Sequence, residues 1–187
     1  AFTNIERITQ KIVHAWLGDI SAIKQKFPSM SSSPACYVAV LPLSTMEGSS
    51  RAVPADGADA LELNFSCPHG SAELGGLSEI GMHPFLMAKV LGWVRQSTTL
   101  PVYVKLPPVN NLRALTCKHW GADGISTINT ISSFPDIETF ASLLNVDNKS
   151  SFGGLSGRMV KPVALRCVAQ VAKTVDLPIS GISGIYE

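Results

Sequence analysis

One phrase recurs along this chain: a short apolar run, a turn rich in Gly, Pro, Ser or Asn, then a segment with apolar residues at three- and four-residue spacing. Parallel strands need a crossover of about a dozen residues or more between them, and an amphipathic helix is the usual one. The alternation therefore predicts an α/β fold built on parallel strands. Strands are predicted at Tyr37–Leu41, Ala60–Phe65, Val102–Leu106, Gly124–Ile128 and Leu177–Ile182. Helices are predicted near Ile5–Trp16, Ser21–Phe27, Pro84–Ser97, Asn111–Trp120 and Pro162–Thr174. Pro84 and Pro162 suit a first helical turn, where a missing N–H costs nothing. The phrases Ala-Asp-Gly-Ala-Asp-Ala before Leu61 and Gly-Ala-Asp-Gly-Ile at Gly121 each place a helix-ending glycine ahead of a strand.

Two stretches break the rhythm. Pro42–Asp59 is rich in Gly, Ser and Pro, so its crossover helix is expected to be short or absent, and Ser132–Ser151 reads as a long polar insertion of the kind that carries active-site loops. Such units build either a closed barrel or an open doubly wound sheet. A complete eight-unit barrel takes about 250 residues, whereas this chain has 187 and shows five strands. A barrel would therefore lack strands. No linker divides the chain, so residues 1–187 read as a single domain.

Composition removes several function classes. The chain is 45% hydrophobic and 16% charged with a formal charge of +1, which supports a packed core and neither a nucleic-acid footprint nor an acidic tail. Its longest apolar run, Cys36–Leu43 with a proline inside it, is far short of the roughly 20 residues of a spanning helix. No membrane segment is expected. The first residues lack the basic-then-apolar pattern of a signal peptide, and no Met begins them, so the chain is read as processed or cut from something longer. Cys36, Cys67, Cys117 and Cys167 have no metal-ligand or Cys-x-x-Cys spacing, so no metal is expected and reduced thiols in the cytoplasm are. Three of them sit among apolar neighbours as small core residues; Cys67 stands in a Ser-Cys-Pro-His-Gly turn.

In parallel α/β folds chemistry gathers at the carboxyl ends of strands. Those ends are polar here: Asn64 through Gly70 after one strand, Lys105 near the end of the next, Asn129-Thr130 after another, then two glycine-rich stretches, 150–157 and 180–184, able to bring backbone N–H groups to a phosphate. Singly, most of these have plain readings. Asn64 alone is a turn former and Cys67 alone a buried thiol, while His14, His83 and His119 fit helix surfaces or caps. Lys105 resists that treatment, because a lysine inside an apolar strand must be paired or lose its charge.

In combination the pieces are specific. Asn-x-Ser-Cys-Pro-His from Asn64, Val-Lys-Leu-Pro-Pro from Val104, Ala-Asp-Gly-Ile-x-x-Ile-Asn-Thr from Ala122 and Ser-Gly-x-x-x-Lys-Pro-x-Ala-Leu-Arg from Ser156 follow the order of one family. The chain resembles the flavin-binding barrel of the dihydropyrimidine dehydrogenases, bacterial flavin subunits especially, over about Phe2–Ile185; the soluble, cysteine-base dihydroorotate dehydrogenases are the sister family. His69 and the Ile179–Ile182 phrase favour the pyrimidine-reducing branch.

That resemblance implies a partial (β/α)8 TIM barrel lacking the first two strands and the last, with FMN as cofactor and the C5=C6 bond of uracil or thymine as target. Cys67 is implied as the proton donor. A thiol of ordinary pKa, about 8.5, can serve in this role at neutral pH, where a carboxylic acid would usually be ionised. Asn64, Asn129 and Thr130 are implied as pyrimidine ligands, Lys105 as the cation at the flavin's N1/O2 side, and Ser156, Gly157, Ser183 and Gly184 as ribityl and phosphate contacts. Ser183 departs from the glycine usual there. Without iron–sulfur motifs, electrons from NAD(P)H would arrive through another domain or subunit, in an oligomer. Two further readings stay open: action on dihydroorotate, and a flavin-free barrel remnant kept as a structural subunit.

Overall fold

The computed structural model describes residues 2–4, 13–28, 59–66, 80–108, 111–133, 137–138, 141–142, 145–146, 149–150 and 153–185. Its centre is a four-stranded parallel sheet of β2 (Leu61–Asn64), β3 (Val102–Leu106), β4 (Gly124–Thr127) and β11 (Ile179–Gly181), each strand beside its predecessor in the chain. The remaining strands, β1 (Phe2–Asn4), β5 (Ile131–Ser133), β6 (Ile137–Glu138), β7 (Ala141–Ser142), β8 (Asn145–Val146), β9 (Lys149–Ser150) and β10 (Gly153–Ser156), are short and pair antiparallel. Neighbour order that follows chain order is the winding of a barrel wall; a doubly wound sheet reverses at a switch point. Among the described residues the sheet does not close.

Three helices cover one face of this sheet. In α2 (Pro84–Ser97) the buried residues Met87, Val90, Leu91 and Val94 fall one helical turn apart and form a single stripe. Proline occupies its first turn, and the chain turns extended at Thr98. The stripe packs with Leu61, Leu63, Val102, Val104, Leu106 and Ile125 from the strands, with Ala114 and Cys117 of α3 (Asn111–His119), and with Val171 of α4 (Lys161–Ala172). Full burial of each large aliphatic chain contributes about 1.5–3 kcal/mol, so this layer is the main source of cohesion. Asp123 ties the layers: its Oδ2 accepts from Val102 N at 2.8 Å and pairs with Arg95, whose Nη1 donates to Leu100 O at 3.0 Å. Gly121, at φ +90°, ends α3 as expected.

Three sequence expectations are corrected. The helices predicted at Ile5–Trp16 and Ser21–Phe27 are continuous from Val13 to Lys26 as α1, because a lone interior glycine such as Gly18 costs only about 1 kcal/mol and does not stop a helix. Ser132–Ser151 is not simply a loop but contains β6 to β9, paired two by two, Ile137–Glu138 with Ala141–Ser142 and Asn145–Val146 with Lys149–Ser150. The glycine stretch 150–157 is extended over Gly153–Ser156, where β10 lies between β1 and β5. Strand Tyr37–Leu41 and nearly all of Pro42–Asp59 fall outside the described residues.

Candidate active site at the carboxyl rim of the sheet

Parallel register decides which side chains share a face. Asn64 is level with Lys105, Lys105 with Ser126, and Ser126 with Ser180, so four adjacent strands present one polar row. A row below, Glu62, Tyr103 and Gly124 are level. The alternate positions, Leu63, Val104 and Ile125, face the helices. Parallel strands covered on both faces read as unbroken apolar runs; this face instead carries amide, ammonium, hydroxyl and carboxylate groups. A Cβ at Gly124 would run into the Tyr103 ring, so the glycine lets that ring lie across β4.

The charged pair in these rows is mostly buried. Glu62 Oε2 accepts from Ser126 Oγ at 2.6 Å, and Glu62 Oε1 lies 4.0 Å from Lys105 Nζ. Side-chain exposure is 16% for Lys105 and 20% for Glu62, which opposite charges tolerate when paired and hydrogen-bonded. Motif reading does not single out Glu62, Ser126 or Ser180. Period-two alternation in Leu-Glu-Leu-Asn, Val-Tyr-Val-Lys-Leu and Gly-Ile-Ser-Thr was the available signal.

Just beyond the strands the chain knits these ends together. Asn64 Oδ1 accepts from Ser66 N and from Asn129 Nδ2, each at 3.0 Å. Asn129 extends the β-ladder through its N–H to Leu106 O at 2.9 Å, and its Oδ1 accepts from Thr130 N at 2.8 Å. Ile182 N donates to Thr127 O and Ser183 Oγ to Ile128 O, at 2.8 and 2.7 Å. Ser183 holds φ +77° and Gly184 φ +79°, so Ser183 adopts a backbone conformation that ordinarily selects glycine, with its hydroxyl tied down. A Cβ on Gly184 would strike the Gly157 carbonyl. The two glycine segments are thus in contact, with Gly157 itself at φ +86°. Gly154 of β10 lies against Thr130, whose Cβ would be 2.8 Å from an added methyl.

The fold therefore gathers Asn64, Lys105, Asn129, Thr130, Gly157, Ser183 and Gly184 at one rim, with Ser156 at the end of β10 next to Gly157. Cys67 lies outside the described residues. Ser66 is buried at the rim, and Gly81 lies against it, its N–H donating to Phe65 O at 2.7 Å. The described thiols are of another kind. Burial pushes the Cys117 thiol up to about 12 and raises that of Cys167, against a smaller opposing effect of Arg166. Both stay protonated and unreactive at neutral pH. His83 stands at the N-cap position of α2 without a side-chain capping bond, and His119 is exposed against Trp120.

The contact of the two glycine segments carries a stability prediction. Gly184→Ala would combine a left-handed backbone with a methyl against a carbonyl, a cost of about 2 kcal/mol or more. For a domain of this size that lowers the melting temperature by about 4 °C or more. A thermal melt superimposable on the parent's would show the contact to be absent.

The sequence profile described as Dihydroorotate dehydrogenase matches residues 49–187. The NAD-dependent dihydropyrimidine dehydrogenase subunit PreA of Escherichia coli K12 is 35% identical, covering 98% of this chain and 46% of that protein. The dihydroorotate dehydrogenase B (NAD(+)) catalytic subunits of Pyrococcus abyssi and Desulforudis audaxviator are 44% and 45% identical over 68% and 69% of this chain, or 42% and 41% of their own lengths. The chain spans less than half the length of these curated relatives.

Proposed function

Because this chain belongs to the dihydroorotate dehydrogenase family, we propose that it is the pyrimidine-binding part of a flavin-dependent oxidoreductase that reduces the C5=C6 bond of uracil or thymine. The carrying observation is the rim itself, where Asn64 and Asn129 are amide-to-amide bonded beside a mostly buried Lys105. The architecture we infer is a partial (β/α)8 barrel, supported by strand neighbours in chain order and helices packed on the opposite face from the polar rows.

The residues present fit FMN. A mostly buried ammonium suits the N1/O2 side of a reduced anionic ring, and the turns at Gly157 and Ser183–Gly184 are small residues packed so closely that a Cβ at Gly184 would strike the Gly157 carbonyl. Lys105, Ser156, Gly157, Ser183 and Gly184 would hold the cofactor, which when bound supplies hydride exchange at C6 of the pyrimidine. Asn64 and Asn129 orient the ring: with Oδ1 accepting two bonds, Asn64 has its NH₂ to offer a pyrimidine carbonyl, and Asn129 keeps a second Nδ2 hydrogen and an Oδ1 lone pair for the alternating C=O and N–H edge. Thr130, fixed by its N–H on Asn129, adds a hydroxyl beside them. Cys67 gives its thiol proton to C5 and is reprotonated from solvent.

The relatives' names include NAD and the word subunit, which supports delivery of electrons from NAD(P)H through iron–sulfur clusters on another domain or subunit, in an oligomeric, cytoplasmic assembly. Action on dihydroorotate is the second reading, favoured by the higher identity to the dihydroorotate dehydrogenase B subunits over the shorter span. The coverage of 98% by the dihydropyrimidine relative and the His69 motif favour the first. One experiment separates them: the intact protein, purified, scanned for visible flavin absorbance and reduced chemically without oxygen, is mixed with uracil or with orotate. We expect a yellow protein reoxidised by uracil faster than by orotate. The reverse order would assign it to dihydroorotate, and a colourless protein would make it a structural remnant.

A further inference from the structure

The Glu62 carboxylate occupies a position that pyrimidine or flavin binding does not explain. It lies one row below the rim, 2.6 Å from the Ser126 hydroxyl and 4.0 Å from the Lys105 ammonium, on three adjacent strands. Nothing about a strand requires a carboxylate there. An apolar residue would fill the space without the desolvation penalty that a mostly buried charge carries. Lysine has a flexible four-carbon stem and three rotatable donors, so its head group can take several positions on this face. A carboxylate pinned by Ser126 beneath it confines the ammonium and offsets part of its charge.

We propose that Glu62, held by Ser126, is a positioning residue that sets the place and effective charge of Lys105 against the ring of the bound cofactor. The proposal rests on the flavin reading above and deepens it. A flavin turns anionic on reduction, so its midpoint potential reports the field of the nearby ammonium. Glu62→Gln keeps a side chain of equal size able to bond Ser126 but removes the counter-charge. Lys105 then acts on the ring without that counter-charge.

The test is spectroelectrochemical titration of the flavin-loaded intact protein, parent and variants, with a flavin dissociation constant for each. Lys105→Met should lower the midpoint potential and weaken flavin binding. Glu62→Gln should raise the potential. In the Lys105→Met background the same substitution should shift it by a different amount, because only the direct field of Glu62 on the ring remains there and no ammonium is left for it to place; such non-additivity marks residues that work as a pair. Glu62→Asp, which retains the charge, should stay nearest the parent and guards against a folding defect in the glutamine variant. A parent that binds flavin while Glu62→Gln leaves the potential unmoved, or moves it equally with and without Lys105, would overturn this inference alone. A parent that binds no flavin would overturn it together with the reading beneath it.

Discussion

Cys67→Ala is expected to slow reoxidation of the chemically reduced protein by uracil about 10²–10⁴-fold, the usual contribution of one positioned acid–base group, while the visible flavin spectrum stays that of the parent. Carbon protonation needs an acid that is intact at neutral pH and within reach of C5. Among the described residues candidates are few. Cys117 and Cys167 are shut away in the helix layer, with burial raising both thiols, and Lys105 is paired to Glu62. Cys67 directly follows Ser66, whose N–H is fixed to Asn64 at the rim. Stopped-flow reoxidation of parent and variant, with the spectrum recorded before mixing, checks the result. Parental rates in the variant would remove Cys67 from the mechanism, and loss of the flavin band would assign it to cofactor binding.

How far the sequence discloses this site depends on the range of the interactions that build it. Helix Pro84–Ser97 and strand Val102–Leu106 match their sequence expectations end to end, because their signals are local: proline in the first turn, apolar residues at helical spacing, then strict alternation. The break expected between Trp16 and Ser21 is absent, since an interior glycine such as Gly18 is tolerated where neighbouring residues carry the helix through. The two-residue strands between Ile137 and Ser150 are hidden by polar composition, for so short a ladder needs no apolar face. Motifs flag Asn64, Lys105 and Asn129 one at a time, but the bond between Asn64 and Asn129 spans 65 positions and that between Ser126 and Glu62 spans 64. Such pairings follow from register, which no single segment contains. Glu62 is the clearest case: within Leu-Glu-Leu-Asn it looks like the solvated side of an edge strand, and only Lys105 and Ser126 on the next two strands give it a task.

Asn64→Ala is the second large effect expected, and it separates positioning from contact. Asn64 Oδ1 accepts two hydrogen bonds, one from the backbone immediately before Cys67 and one from Asn129. Alanine leaves the N–H of buried Ser66 without that acceptor, a cost of about 1–3 kcal/mol, and frees Asn129 to turn. Displacing reacting groups by even about 1 Å can lower a rate about 10²-fold, so reoxidation by uracil should fall by about that factor and the melting temperature should drop as well. Asn64→Asp keeps an oxygen acceptor for both donors but exchanges the amide NH₂ for a second oxygen. It should restore most of the thermal stability; if the amide nitrogen also holds a pyrimidine carbonyl, activity should stay low, since a donor has become a repelling acceptor. Recovery of both stability and rate in the aspartate variant would show that Asn64 serves only to brace the rim. A parental rate in Asn64→Ala would show that the carboxamide pair does not shape the site.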